Sequence, residues 1–151
     1  MDIYDTAAVQ TIWERVRRSA APETLEETLA EWIARELADC ETYRALAKCG
    51  FPAVFRALAN EEACHERKLS ALYFLLTGCR PAVCPAAKED TSCMGSAVRS
   101  RFAQEQKGAE VYRAAAAQWP AHAALFCALA NDETRHACRL REIAERLVCI
   151  G

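Results

Sequence analysis

The sequence predicts an all-α protein, a four-helix bundle built from two repeated helical hairpins with a long crossover, plus an extra N-terminal helix. Three observations carry this expectation. Alanine is abundant at 31 of 151 residues, while 5 Gly and 5 Pro are few, a composition that favours helix over sheet or disorder. Apolar residues recur at helical spacing in five stretches separated by Pro and Gly. The chain also repeats itself: residues 55–69 read FRALANEEACHERKL and residues 126–140 read FCALANDETRHACRL, eight identities in fifteen positions. Chance would give about one.

The elements follow from this punctuation, within one domain spanning residues 1–151. Residues 2–19 place Ile3, Val9, Ile12, Trp13 and Val16 on one side, an accessory helix within residues 1–20. Pro22 suits the first turn of a second helix that runs to Cys49. Gly50 ends it, Pro52 opens a third, and Gly78 closes that one, so residues 22–78 form an antiparallel hairpin. Residues 79–92 are rich in Pro, Cys, Ser and charge and make the only long connection. About 15 residues can reach roughly 50 Å, more than the ~37 Å of a 25-residue helix, so this segment can cross the whole bundle. A second hairpin fills residues 93–150, with one helix near 93–118 and another from Pro120 to about Cys149.

Charge and composition exclude several function classes. Lys plus Arg (19) nearly balance Asp plus Glu (21), and no basic cluster forms a stripe for phosphate, so nucleic acid is not an expected partner. The longest apolar run, residues 123–130, is far too short to span a bilayer, and the acidic start does not read as a signal peptide. Nine cysteines, an odd number with several inside helical patterns, fit free thiols in a cytoplasmic protein. No C-x-x-C pair exists, which excludes zinc-finger and rubredoxin sites.

The chemistry lies in the repeats. Each contains E-x-x-H, Glu62/His65 and Glu133/His136, whose i, i+3 spacing lets one ion reach both side chains. Glu62 is in register with Phe55, Leu58, Leu69 and Tyr73, and Glu133 with Phe126, Leu129, Leu140 and Leu147, so both motifs point to the core. Upstream, Glu36 shares a stripe with Leu29, Ile33, Cys40, Tyr43 and Ala47. Glu105 shares another with Val98, Phe102, Ala109, Tyr112 and Ala116. A carboxylate on an apolar stripe must be paired or bound to metal. Four facing helices would therefore gather four glutamates and two histidines, where a pair of like charges about 4 Å apart repels by about 4 kcal/mol even at an effective dielectric of 20. Two divalent cations would neutralise them.

One Glu from each of two helices plus E-x-x-H from each of the other two is the ligand set of carboxylate di-iron and di-manganese bundles. On Glu36-x6-Tyr43, Asn60-Glu61-Glu62-Ala63-Cys64-His65, Glu105 and Asp132-Glu133-Thr134-Arg135-His136, the chain resembles the ferritin-like superfamily and, within it, the rubrerythrin-type di-iron domain, over about residues 23–149. The resemblance implies two iron ions per chain held by Glu36, Glu62, His65, Glu105, Glu133 and His136. It implies an oxidoreductase of peroxidase or ferroxidase type that reacts with peroxide or oxygen and draws on an external electron donor. Manganese or zinc also suits oxygen and imidazole ligands. A non-catalytic iron carrier or a metal-stabilised interaction module is the alternative. Two departures stand out: the rubredoxin-type module is missing, and Gly108 stands where the family often has a further Glu.

Tyr43 and Tyr112 lie two turns from a ligand on the same face, placed either to bond a carboxylate beside the centre or to fill the core. Cys40 reads as an apolar filler because Ala109 is its counterpart. Asp39, Glu41, Glu61, Glu110 and Asp132 fall off the stripes and read as solvated charge. Cys79, Cys84 and Cys93 read as loop thiols and His122 as polar surface. The duplication satisfies its own pseudo-two-fold, so a monomer or homodimer is expected in place of a storage cage.

Overall fold

A computed structural model describes residues 24–150 except 85 and 88; the helix expected at residues 2–19 lies outside the described residues. Among them there is no strand and there are four long helices. α1 (Leu25–Cys49) starts at a capping box: the Thr24 hydroxyl accepts the Glu27 N–H, and the Glu27 carboxylate accepts the Thr24 N–H. This corrects the expected start at Pro22, because the T-x-x-E pattern supplies side-chain partners for the first turn and the proline supplies none. After Gly50, Phe51 turns the chain in the left-handed region (φ 46°, ψ 47°) and Pro52 opens α2 (Pro52–Thr77). Pro52 disfavours right-handed helix at Phe51, and packing of the Phe51 ring against the core holds the turn. Gly78, at φ 72°, caps α2 by donating its N–H to the Phe74 carbonyl.

α3 (Met94–Gln118) follows the crossover, and α4 (Ala123–Ile150) ends the described chain. The helix expected to start at Pro120 is preceded by a separate 3₁₀ turn, Pro120–His122, in which His122 donates its backbone N–H to the Trp119 carbonyl. His122 is half-buried, its ring centroid 6.5 Å from that of Phe126, where polar surface had been expected.

Two apolar clusters fill the ends of the bundle. One gathers Tyr43 and Leu46 of α1, Phe55 and Leu58 of α2, Val98 of α3, and Leu140 and Ile143 of α4. The other gathers Leu29 and Ile33 of α1, Leu69 and Leu72 of α2, Tyr112 of α3, and Phe126 and Leu129 of α4, with the Trp32 ring set edge-on against Tyr112, Phe126 and Trp119. Each helix therefore contributes one end to each cluster. α1 and α2 pack as an antiparallel hairpin, as do α3 and α4. The crossover joins opposite ends: Val83 packs on the second cluster, Ala86 donates its N–H to the Ala34 carbonyl of α1, and Glu89 comes within 3.9 Å of Arg101 on α3. No helix among the described residues is long and apolar enough to cross a membrane. All nine cysteines are free, with Cys40 buried in the first cluster and Cys79, Cys84 and Cys93 exposed.

Leu129 is fully buried. Leu129→Ala should cost about 2–5 kcal/mol in urea melts, whereas Thr24→Ala should cost about 1 kcal/mol through the lost cap.

Candidate metal centre

Between the two clusters lies a polar layer. On α1, Glu36 falls between Ile33 and Cys40; on α2, Glu62 and His65 between Ala59 and Leu69; on α3, Glu105 between Val98 and Tyr112; on α4, Glu133 and His136 between Ala130 and Leu140. All six are buried, none more than 5% exposed. All six thus lie in the core, where their apolar stripes point them.

Their ligand atoms form two overlapping groups, Glu36, Glu62, His65 and Glu133, and Glu62, Glu105, Glu133 and His136, with the atoms of each group within 4.8 Å of one another. Glu62 is common to both: its Oε2 lies 3.0 Å from His65 Nδ1 and its Oε1 3.0 Å from His136 Nδ1. Glu133 Oε1 is 3.2 Å from His65 Nδ1. Glu36 Oε2 stands 3.4 Å from His65 Nδ1, and Glu105 Oε2 stands 3.4 Å from His136 Nδ1. None of these short approaches is aligned as a hydrogen bond. Among the described residues nine buried side-chain polar atoms lack a partner, and seven of them are Glu36 Oε2, both Glu62 oxygens, His65 Nδ1, Glu105 Oε2, Glu133 Oε1 and His136 Nδ1. Buried polar atoms without partners are costly, and these seven converge, so the residues fit cations shared among them.

On Glu36, Glu105 and both histidines the opposite atom is occupied. Tyr43 on α1 donates its hydroxyl to Glu105 Oε1 on α3, and Tyr112 on α3 donates to Glu36 Oε1 on α1, so each phenol serves the other hairpin. Burial first, and the adjacent carboxylate second, raise both phenols well above their ordinary values and keep them protonated as donors. The tyrosines are thus both core filler and carboxylate partners. His65 Nε2–H donates to Asp132 Oδ2 at 3.2 Å, and His136 Nε2–H donates to Glu61 Oε2 at 2.9 Å, which leaves Nδ1 of each ring for the centre. Arg139 holds Glu61 at 2.6 Å and Arg135 holds Asp132.

This corrects the reading of three acids as solvated charge. Glu61 and Asp132 orient the imidazoles, and Asp39 accepts from buried Arg101 at 2.5 Å. Glu110 is exposed as expected, and Glu41 is half-buried. Position along one helix could not reveal the partners, which sit on the other hairpin. The available signal was the duplicated acid just before each E-x-x-H glutamate, Glu61 and Asp132. Packing accounts for Gly108: a Cβ there would sit 2.9 Å from Glu133 Oε2 and 3.3 Å from its Cδ, so the missing side chain makes room for Glu133.

Without metal the layer is balanced by protons. Burial, then the neighbouring Glu105, pushes Glu133 up to about 10, and burial with the charge of Glu105 brings Glu62 to about 7. Burial alone would lower the imidazoles, but contacts with Glu105 and Glu62 raise His136 to about 11, and contacts with Glu133, Glu36 and Glu62 raise His65 further. Burial would likewise raise Glu105, yet contacts with Glu133 and His136 and the charge of Arg101 hold it well below the usual carboxylate range. Protons on Glu133 and both imidazoles leave the metal-free layer near neutral, and divalent cations would compete for the same atoms.

Comparison with protein-family models, curated proteins and solved structures finds no match for this chain. The case for the centre is made by its own residues.

Saturating Mn(II) or Fe(II), at about a thousand times Kd, should raise the melting midpoint by about 10 °C. Affinity should fall as pH drops from about 8 to about 6, because protons displace the metal from its ligands. Gly108→Ala should change urea stability by no more than about 1 kcal/mol, since a flexible carboxylate gives way, yet weaken Mn(II) binding by about tenfold or more as Glu133 moves off the centre.

Proposed function

We propose that this chain is a di-iron protein of the ferritin-like, rubrerythrin type that reacts with peroxide or oxygen. The observation that carries the reading is the convergence of unpartnered, buried carboxylate and imidazole atoms from all four helices on one layer. Glu36, Glu62, His65 and Glu133 would hold one ion, and Glu62, Glu105, Glu133 and His136 the other, with Glu62 and Glu133 shared. A pair of ferrous ions supplies the two electrons that cleavage of an O–O bond consumes.

The chain's own groups support that chemistry. The two apolar clusters keep bulk water from both ends of the layer. Asp132 and Glu61 fix the imidazole orientation, and the Tyr43 and Tyr112 hydroxyls each hold a proton at the outer oxygen of a terminal carboxylate. Both phenols are buried and bond Glu105 and Glu36 directly without being candidate ligands themselves. A cleft of about 150 Å³ is lined by Glu61, Cys64, His65, Lys68, Asp132 and Arg135, beside the hydrogen bond between His65 and Asp132.

Anaerobic loading with Fe(II) should give two ions per chain, and stopped-flow addition of peroxide should oxidise them rapidly, with recovery on adding a reductant. Two ions bound without oxidation would identify a carrier or a metal-stabilised module instead, and one ion or fewer would defeat the di-iron reading. Tyr43→Phe and Tyr112→Phe should keep metal content near two and change the rate or products of the peroxide reaction. Unchanged kinetics in both variants would return the tyrosines to a packing role alone.

A further inference from the structure

The two halves of the centre are built from repeats but are not equal. Glu36 and Glu105 are related by the same offset in sequence as Tyr43 and Tyr112, so the counterpart of Arg101, four residues before Glu105, is Trp32, and that of Asp39 is Gly108. A buried ion pair thus occupies one half where the other has an indole and a bare backbone. The Arg101 side chain is only 3% exposed; it donates to Glu105 Oε1 at 2.7 Å and to Asp39 Oδ1 at 2.5 Å, and its guanidinium lies 5.0 Å from the centre of the Tyr43 ring. Glu105 Oε1 therefore takes both the Tyr43 hydroxyl and a buried guanidinium, leaving Oε2 for the centre.

In the other half, Glu36 Oε1 takes the Tyr112 hydroxyl, and Arg35 likewise stands over its tyrosine, 5.5 Å from the centre of the Tyr112 ring, but its guanidinium stays 3.8 Å from Glu36 on a side chain that is 30% exposed. Water screens that charge, while little screens Arg101. A charge-assisted hydrogen bond draws electron density from Glu105, and the buried positive charge repels a cation held by the same carboxylate. Asp39, at 2.5 Å, and Glu89, at 3.9 Å, offset this only in part, since both face the far nitrogen Nη1 while Nη2 faces Glu105.

We propose that Arg101 is a positioning residue that makes the two metal sites unequal, with divalent cations held tightly in the Glu36/His65 half and weakly in the Glu105/His136 half. This inference rests on the metal reading above. It implies ordered loading and a chain able to carry a single ion at low metal concentration.

The test isolates each half. Mn(II) titrations followed by the signal of free Mn(II) in electron paramagnetic resonance would be run on the full chain and on His136→Ala and His65→Ala, each of which keeps one complete half. His136→Ala should bind its ion at least about tenfold more tightly than His65→Ala. Adding Arg101→Gln with Asp39→Asn to His65→Ala, which keeps neutral amides where the ion pair was and avoids stranding Asp39, should close that gap. Adding Arg101→Lys should preserve it, a charge dependence that packing alone would not produce. Equal affinities in the two single-half chains, or a gap unmoved by the Gln/Asn change, would overturn the inference while leaving a metal centre in place. Failure of the unmodified chain to bind Mn(II) at all would defeat the metal reading itself, and this one with it.

Discussion

Four carboxylates buried in one layer set the terms for everything else in this molecule. Their mutual repulsion in a poorly screened interior must be offset by positive charge, whether protons, arginine or metal, and their outer oxygens must be hydrogen-bonded. The structure meets both needs across the hairpins rather than within them. Tyr43 reaches Glu105, Tyr112 reaches Glu36, His65 reaches Asp132 and His136 reaches Glu61. Packing of α1 on α2 and of α3 on α4 is extensive, but the hairpins meet mainly through side chains at this layer and the apolar clusters on either side of it. The feature that charges the core is also the one that joins its halves.

Most of this architecture was legible in the sequence because helical periodicity is a property of one helix at a time. An acid on an apolar stripe declares itself without knowledge of its neighbours, and all six candidate ligands were found in that way. The residues that support them were harder to read. Asp39, Glu61 and Asp132 leave the stripe by about one residue, where a helix viewed alone shows only a flank. The facing hairpin turns that flank into an interface. Arg101 escaped the sequence reading altogether: it sits on the stripe of Val98 and Glu105, but its meaning depends on Asp39 of α1. Helix boundaries shifted where side-chain caps or a 3₁₀ turn overrode proline, at Thr24 and Pro120.

The repeat is informative both where it holds and where it breaks. Glutamate, histidine and tyrosine recur, so the inner layer is built twice from one plan. Outside it the copies diverge: indole against guanidinium, carboxylate against bare backbone. Gly108 shows how such divergence acts on the inner layer, because removing a side chain from α3 gives Glu133 the volume it occupies. Wherever two copies share a centre, changes in one have to be accommodated by the other, and the centre drifts from symmetry without losing a ligand.

The crossover carries a consequence for how the chain assembles. Within each hairpin the partners are close in sequence, and the α1–α2 connection is only Gly50 and Phe51, so each half can form from local contacts on a fast timescale. The bonds that join the halves link residues 62 to 78 positions apart and require the crossover to run the length of the bundle first. Docking of the halves therefore carries the largest loop-closure cost, and it is also the event that buries the carboxylates. Closure of the hairpins is thus the moment of greatest electrostatic cost, at which the carboxylates must be met by protons, by arginine or by any cation the layer can hold.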